Sequence, residues 1–190
     1  MRNWPINIPV LLALLTVNGC MWGGDEALLV LQDLGAGSAP SNLKRLTPEP
    51  TRLRIDYQFS GRAYQADLYL PGEPPRASIL LVPGVAQEGR DDPRLVAFAA
   101  TLARARFLVL VPDLPGLRSL RVSGTDIQAV VDAFSYLQTR AERPVHGGRG
   151  IAAFSYAVGP AVLAALEGQH RRLALPVPRW PAVHSRRPRP

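Results

Sequence analysis

Ile151-Ala152-Ala153-Phe154-Ser155-Tyr156-Ala157 is the stretch on which the fold turns. Residues 151–154 form a short apolar run of the kind a buried strand requires. Residues 156–167 follow with helical spacing, with Val158, Val162 and Leu166 on one side and Gly168 placed to end the helix. A serine therefore stands on a strand-to-helix turn, inside the small-x-Ser-x-small pentapeptide Ala153-Phe154-Ser155-Tyr156-Ala157. Such a turn holds its central residue in strained φ/ψ, and large side chains two positions away would collide where helix meets strand. It also sets the serine at a helix N-terminus, where free N–H groups favour developing negative charge. Read alone, the pentapeptide is equally a serine N-cap on a core helix.

Working outward, Ala77–Val82 is apolar apart from Ser78, and residues 107–111 form a second continuous apolar run. Both read as strands buried on two faces. Asp92-Pro93 pairs an N-cap with a proline at the first helical position, and Leu95, Phe98, Ala99 and Leu102 share one face of the helix. Ser123-Gly124-Thr125-Asp126 has capping-box form before Ile127, Val130, Val131, Phe134 and Leu137. Residues 142–150 read as a loop. Upstream, residues 52–59 alternate, Ser60-Gly61 makes a turn, and Tyr64, Ala66, Leu68 and Leu70 alternate again. That predicts an antiparallel hairpin with one wet face. The order is a hairpin and then strand and helix in alternation, so the fold class is α/β with a mostly parallel sheet. Residues 20–50 read as a linker, with a flexible connector at 35–41, and residues 51–170 as the folded domain.

The chain has 190 residues, 47% of them hydrophobic and 19% charged, which suits one globular domain. One cysteine excludes a disulfide scaffold and a Cys-based zinc site. His146, His170 and His184 lack metal-ligand spacing, and no metal or organic cofactor is implied. The formal charge of +7 invites a nucleic-acid reading. However, residues 171–190 carry six arginines, five prolines and no acid, while residues 1–170 hold 16 basic and 15 acidic residues. The basicity belongs to the tail, which reads as disordered, and no nucleic-acid partner is expected. Oligomeric state is not legible.

Arg2 precedes an apolar run from Ile8 to Val17. It is shorter than the roughly 20 residues a bilayer span needs, and fits a secretory signal. Its end, Val17-Asn18-Gly19-Cys20, resembles the bacterial lipobox. Residues 1–19 thus read as a lipoprotein signal peptide and Cys20 as the acylated residue. This implies a lipid anchor on the periplasmic side of an envelope membrane, with secretion as the alternative.

The strand Ala77–Val82 ending in Pro83-Gly84, the next strand ending in Pro112-Asp113, and the serine turn together resemble the α/β-hydrolase family over residues 52 to 168. Ala153-Phe154-Ser155-Tyr156-Ala157 is similar to that family's nucleophile elbow, with alanine in place of both glycines. The closest likeness is to dienelactone-hydrolase-like and esterase-like members. The dienelactone hydrolases proper often carry cysteine where this chain has serine. The resemblance implies Ser155 as nucleophile, with the backbone N–H groups of Val85 and Tyr156 as the oxyanion hole. Pro83 stands where the family usually has histidine; a backbone donor does not depend on that side chain. Asp113-Leu114-Pro115-Gly116 reads as a structural turn. The implied substrate is a small molecule with an ester-type bond.

The family orders its triad as serine, acid, histidine. After Ser155 come 35 residues with no aspartate; the acid there is Glu167, and the histidines are His170 and His184. None is read as a triad member. The chain is therefore expected to be a C-terminally truncated hydrolase, inactive by itself, whose tail is read as a shifted frame in GC-rich DNA. A genuine basic arm for anionic lipid or nucleic acid is the alternative for the tail. For the whole chain the alternative is a non-catalytic, ligand-binding envelope lipoprotein. With no strand read after the helix that follows Ser155, residues 151–154 are expected to be an unpaired apolar edge.

Overall fold

The computed structural model describes residues 25–121, 123–144 and 146–173. Residues 1–19, read as a signal peptide, Cys20 and most of the Arg/Pro-rich tail lie outside the described residues. Among the described residues no helix is long and apolar enough to cross a membrane. Two helices, α1 over 25–36 and α2 over Asn42–Leu46, precede the sheet. Then come β1 (Thr51–Phe59), β2 (Arg62–Leu70), β3 (Ala77–Val82), α3 (Pro93–Arg104), β4 (Phe107–Pro112), α4 (Pro115–Arg118), α5 (Gly124–Thr139), β5 (Gly148–Ala153) and α6 (Val158–Leu173). The strands lie in the order β1-β2-β4-β3-β5. β3 runs parallel to β4 and β5, and the hairpin is attached antiparallel through β2 on β4.

The expected α/β architecture is present, and local chemistry explains most of it. Ser60 and Gly61 both have positive φ, +51° and +74°, which matches a two-residue turn to the twist of the hairpin. Asp92 accepts from the Arg94 N–H at 2.9 Å and Pro93 opens α3. The capping box of α5 is formed, with Asp126 accepting from the Ser123 N–H at 2.9 Å. Alternate strand residues serve opposite faces. Leu80, Val82, Leu108 and Leu110 pack with Val130, Ala133 and Leu137 of α5 and Ala161 of α6. Leu81, Val109 and Val111 pack with Leu95, Ala99 and Ala103 of α3.

Four expectations are corrected. The linker at 20–50 contains two helices, because residues 35–41 punctuate them rather than connect loosely. Gly37 ends α1 with φ +56° and its N–H on the Asp33 carbonyl, and Ser41 Oγ caps α2 through the Lys44 N–H. The hairpin's wet face is dry at the end of β2 that pairs with β4: Asp67 and Tyr69 are buried while Ala63 and Gln65 stay exposed, because β2 lies between β1 and β4 there and Arg52 covers it, with Nε donating to Asp67 at 2.8 Å. β5 starts at Gly148, inside the expected loop, and is only partly buried, because it is the last strand and gains its ladder from β3 alone. Gly168 does not stop α6, which runs on to Leu173 through residues with ordinary helix propensity.

Candidate functional site

β5 delivers the chain to Ser155 at the edge of the sheet. Phe154 N–H still bonds the Val82 carbonyl, at 3.4 Å. The next residue swings into the left-handed region: Ser155 has φ +54°, then a short 3-10 turn, Ser155–Ala157, leads into α6. Ala157 is fully buried under the turn, so the small residue two places after the serine meets the steric demand expected of it. Ala153 is half-buried on the other side.

The loop after β3 closes on this turn. A Cβ on Gly84 would lie 3.4 Å from the Phe154 carbonyl oxygen and 3.6 Å from the Ser155 Cβ. A Cβ there would make ordinary van der Waals contact with the turn, so the loop and the serine turn lie directly against each other. The Val85 N–H follows directly and has no hydrogen-bond partner among the described residues, and the same holds for Ser155 Oγ.

Above the serine lies an apolar cavity of about 690 Å³. Ser155 and Phe154 line it from the turn, Val85 from the β3 loop, Leu95 and Phe98 from α3, and Leu34 from α1. Phe98 meets Phe154 edge-to-face, with centroids 5.4 Å apart at 76°. Asp92 and Arg94 also line the cavity, but bind each other at 2.7 Å. The Arg94 guanidinium holds the Asp92 carboxyl below its usual range, so Asp92 is an ionised partner of Arg94 and not a proton donor.

No family model matches the sequence, and no curated protein matches it. Solved structures do. Dienelactone hydrolase from Anabaena variabilis superposes on 65% of this chain with a TM-score of 0.53 and 20% identity. An esterase from Pyrobaculum calidifontis superposes on 88% with a TM-score of 0.55 and 14% identity. The chain has the α/β-hydrolase fold. It spans 60% of the length of the first of these structures and 54% of the second.

Within this α/β-hydrolase fold the residues singled out from sequence divide clearly. Ser155, Gly84 and Val85 come together. Tyr156 follows the serine in the turn, its side chain 41% exposed. Asp113 turns away: its N–H bonds the Gln65 carbonyl at 2.8 Å and its carboxylate pairs with Arg118 at 3.3 Å. Arg118 lies against Gly89 and reaches the Gln87 carbonyl, so Asp113 buttresses the β3 loop from behind. Glu167 is exposed on α6, roughly 14 Å along the helix axis from its start. His146 is exposed in the loop before β5, and His184 lies outside the described residues. Among the described residues no group of three His, Cys, Asp or Glu side chains could hold a metal. Sequence reasoning missed Leu34, Phe98 and Phe154 as cavity walls, because apolar residues in amphipathic segments carry no mark that separates wall from core.

Proposed function

We propose that this chain is a serine hydrolase acting on an ester-type bond of a small molecule. One observation carries the reading: Ser155, held at φ +54° on a strand-to-helix turn, faces the Gly84-Val85 loop at an apolar cavity. In this reading Ser155 Oγ adds to the ester carbonyl carbon. The backbone amides of Val85 and Tyr156 hold the oxyanion. The alkoxide then leaves with the proton given up by the hydroxyl. Water adds to the acyl-Ser155 ester, releases the acid and restores the hydroxyl. Serine needs a base for speed, and no base is bonded to Ser155 Oγ among the described residues. Oxyanion stabilisation and binding alone leave roughly 10³–10⁴-fold over water, so turnover by these residues is expected to be slow.

That missing bond favours a second reading, a ligand-binding scaffold without catalysis. A fluorophosphonate probe separates the two. Labelling of wild type, and none of Ser155→Ala, supports the nucleophile. A folded wild type that takes no label leaves the binding scaffold. We also place the protein on an envelope membrane through acylated Cys20. Cys20→Ala should move it from the membrane to the soluble fraction, and unchanged fractionation rejects the anchor.

A further inference from the structure

We infer that the two helices before the sheet form a clamp that selects the acyl group entering the cavity over Ser155, with Leu34 as the specificity-determining residue and Asp33 as its positioning residue. The selection of an acyl group rests on the nucleophile reading above; the clamp itself rests on packing.

The cavity has one wall that belongs to the sheet domain, Leu95 and Phe98 of α3 with Phe154. Leu34 of α1 lines the same cavity, together with Gly37 and Ser38. The placement of α1 against α3 therefore sets how far Leu34 stands from the α3 side chains that share the cavity with it. That distance is fixed by the residue next to Leu34. Asp33 is 1% exposed, and Thr101 of α3 donates to its Oδ2 at 2.6 Å. Its Oδ1 takes Lys44 of α2 at 2.8 Å and the Ser41 hydroxyl. Lys44 also donates to the carbonyls of Gly37 at 2.7 Å and Ala39 at 2.9 Å. An apolar contact would hold two helices together as well, but would not fix their register; a buried carboxylate with partners on α2 and α3 does. Leu34 itself is only half-buried, which is where a side chain meeting a ligand, rather than a core neighbour, belongs. The charged residues lining the slot, Asp92 and Arg94, neutralise each other, so the group it accepts is an uncharged alkyl chain.

The test uses the full chain and two readouts. One is the ratio of kcat/KM for para-nitrophenyl octanoate to that for the acetate. The other is saturation-transfer NMR with butyl methyl ether and hexyl methyl ether, which need no chemistry. Leu34→Trp should lower the octanoate-to-acetate ratio about tenfold and extinguish the hexyl ether signal before the butyl. Leu34→Ala should raise the ratio. Asp33→Asn, or Thr101→Val should the former fail to fold, should blur chain-length discrimination severalfold, an effect that mere loss of stability would not produce. A folded Leu34→Trp protein with unchanged ratio and unchanged ether signals overturns the inference, and so does a wild type that binds neither ether. Ether binding that follows residue 34, in a chain that hydrolyses no ester and takes no fluorophosphonate, keeps the clamp and rejects Ser155 chemistry.

Discussion

Ser155 carries a conformational cost that most serines do not. A side chain at φ +54° brings its Cβ against its own backbone, at roughly 1–3 kcal/mol. Replacement by glycine relieves that contact, and replacement by alanine keeps it. Ser155→Gly is thus expected to be more stable than Ser155→Ala by about 1 kcal/mol in urea unfolding, although both lose the hydroxyl. Equal stabilities would mean the turn is unstrained. The serine was legible because the steric needs of its turn select small residues at 153 and 157. Val85, which we propose as an oxyanion donor, was singled out only through resemblance, since a backbone donor leaves no trace in side-chain identity. Leu34 was not legible, because its role depends on which distant residues share the cavity with it.

The capped starts of α3 and α5 were read correctly, whereas the end of α6 and the helices α1 and α2 were not. The capping box of α5 and the Asp-Pro start of α3 are local. α1 and α2 are not: Asp33 makes its contacts with Ser41 and Lys44 across a turn, and with Thr101 from a different part of the chain. Burial alone would push the Asp33 carboxyl up, but hydrogen bonds from Lys44, Ser41 and Thr101 outweigh it and hold the carboxyl below 3.8. A carboxyl with a lowered folded pKa stabilises above its unfolded pKa, and that contribution is lost as pH falls through the folded value. Wild type should therefore lose stability in acid more steeply below about pH 4 than Asp33→Asn does. At neutral pH the variant should be less stable by about 1–3 kcal/mol. Urea unfolding across a pH series checks both, and parallel acid limbs would remove Asp33 from the clamp.

At the scale of the molecule, alternation of strand and helix disclosed the class, and two-face burial of β3 and β4 was visible in apolar runs interrupted by Ser78 alone. The place of β2 was not, because nothing within the hairpin says which of its strands lies inside the sheet. Its buried Asp67 and Tyr69 are the record of that neighbourhood. β5 and α6 show the reverse. Val158, Val162 and Leu166 were read from the pattern, yet they and Leu163 lie between 46% and 54% exposed, because a hydrophobic period tells which face is apolar and not what covers it. The sheet also joins two kinds of connection. The hairpin closes across Ser60 and Gly61, whereas Gly148 must find Ala77 after the chain has traversed β4 and α5. Loop closure costs chain entropy that grows with the logarithm of length, so seating β5 costs about 2–3 kcal/mol more than zipping the hairpin. The turn bearing Ser155 is thus fastened by the entropically dearest pairing in the sheet, and the residue most dependent on exact placement hangs from its least local join.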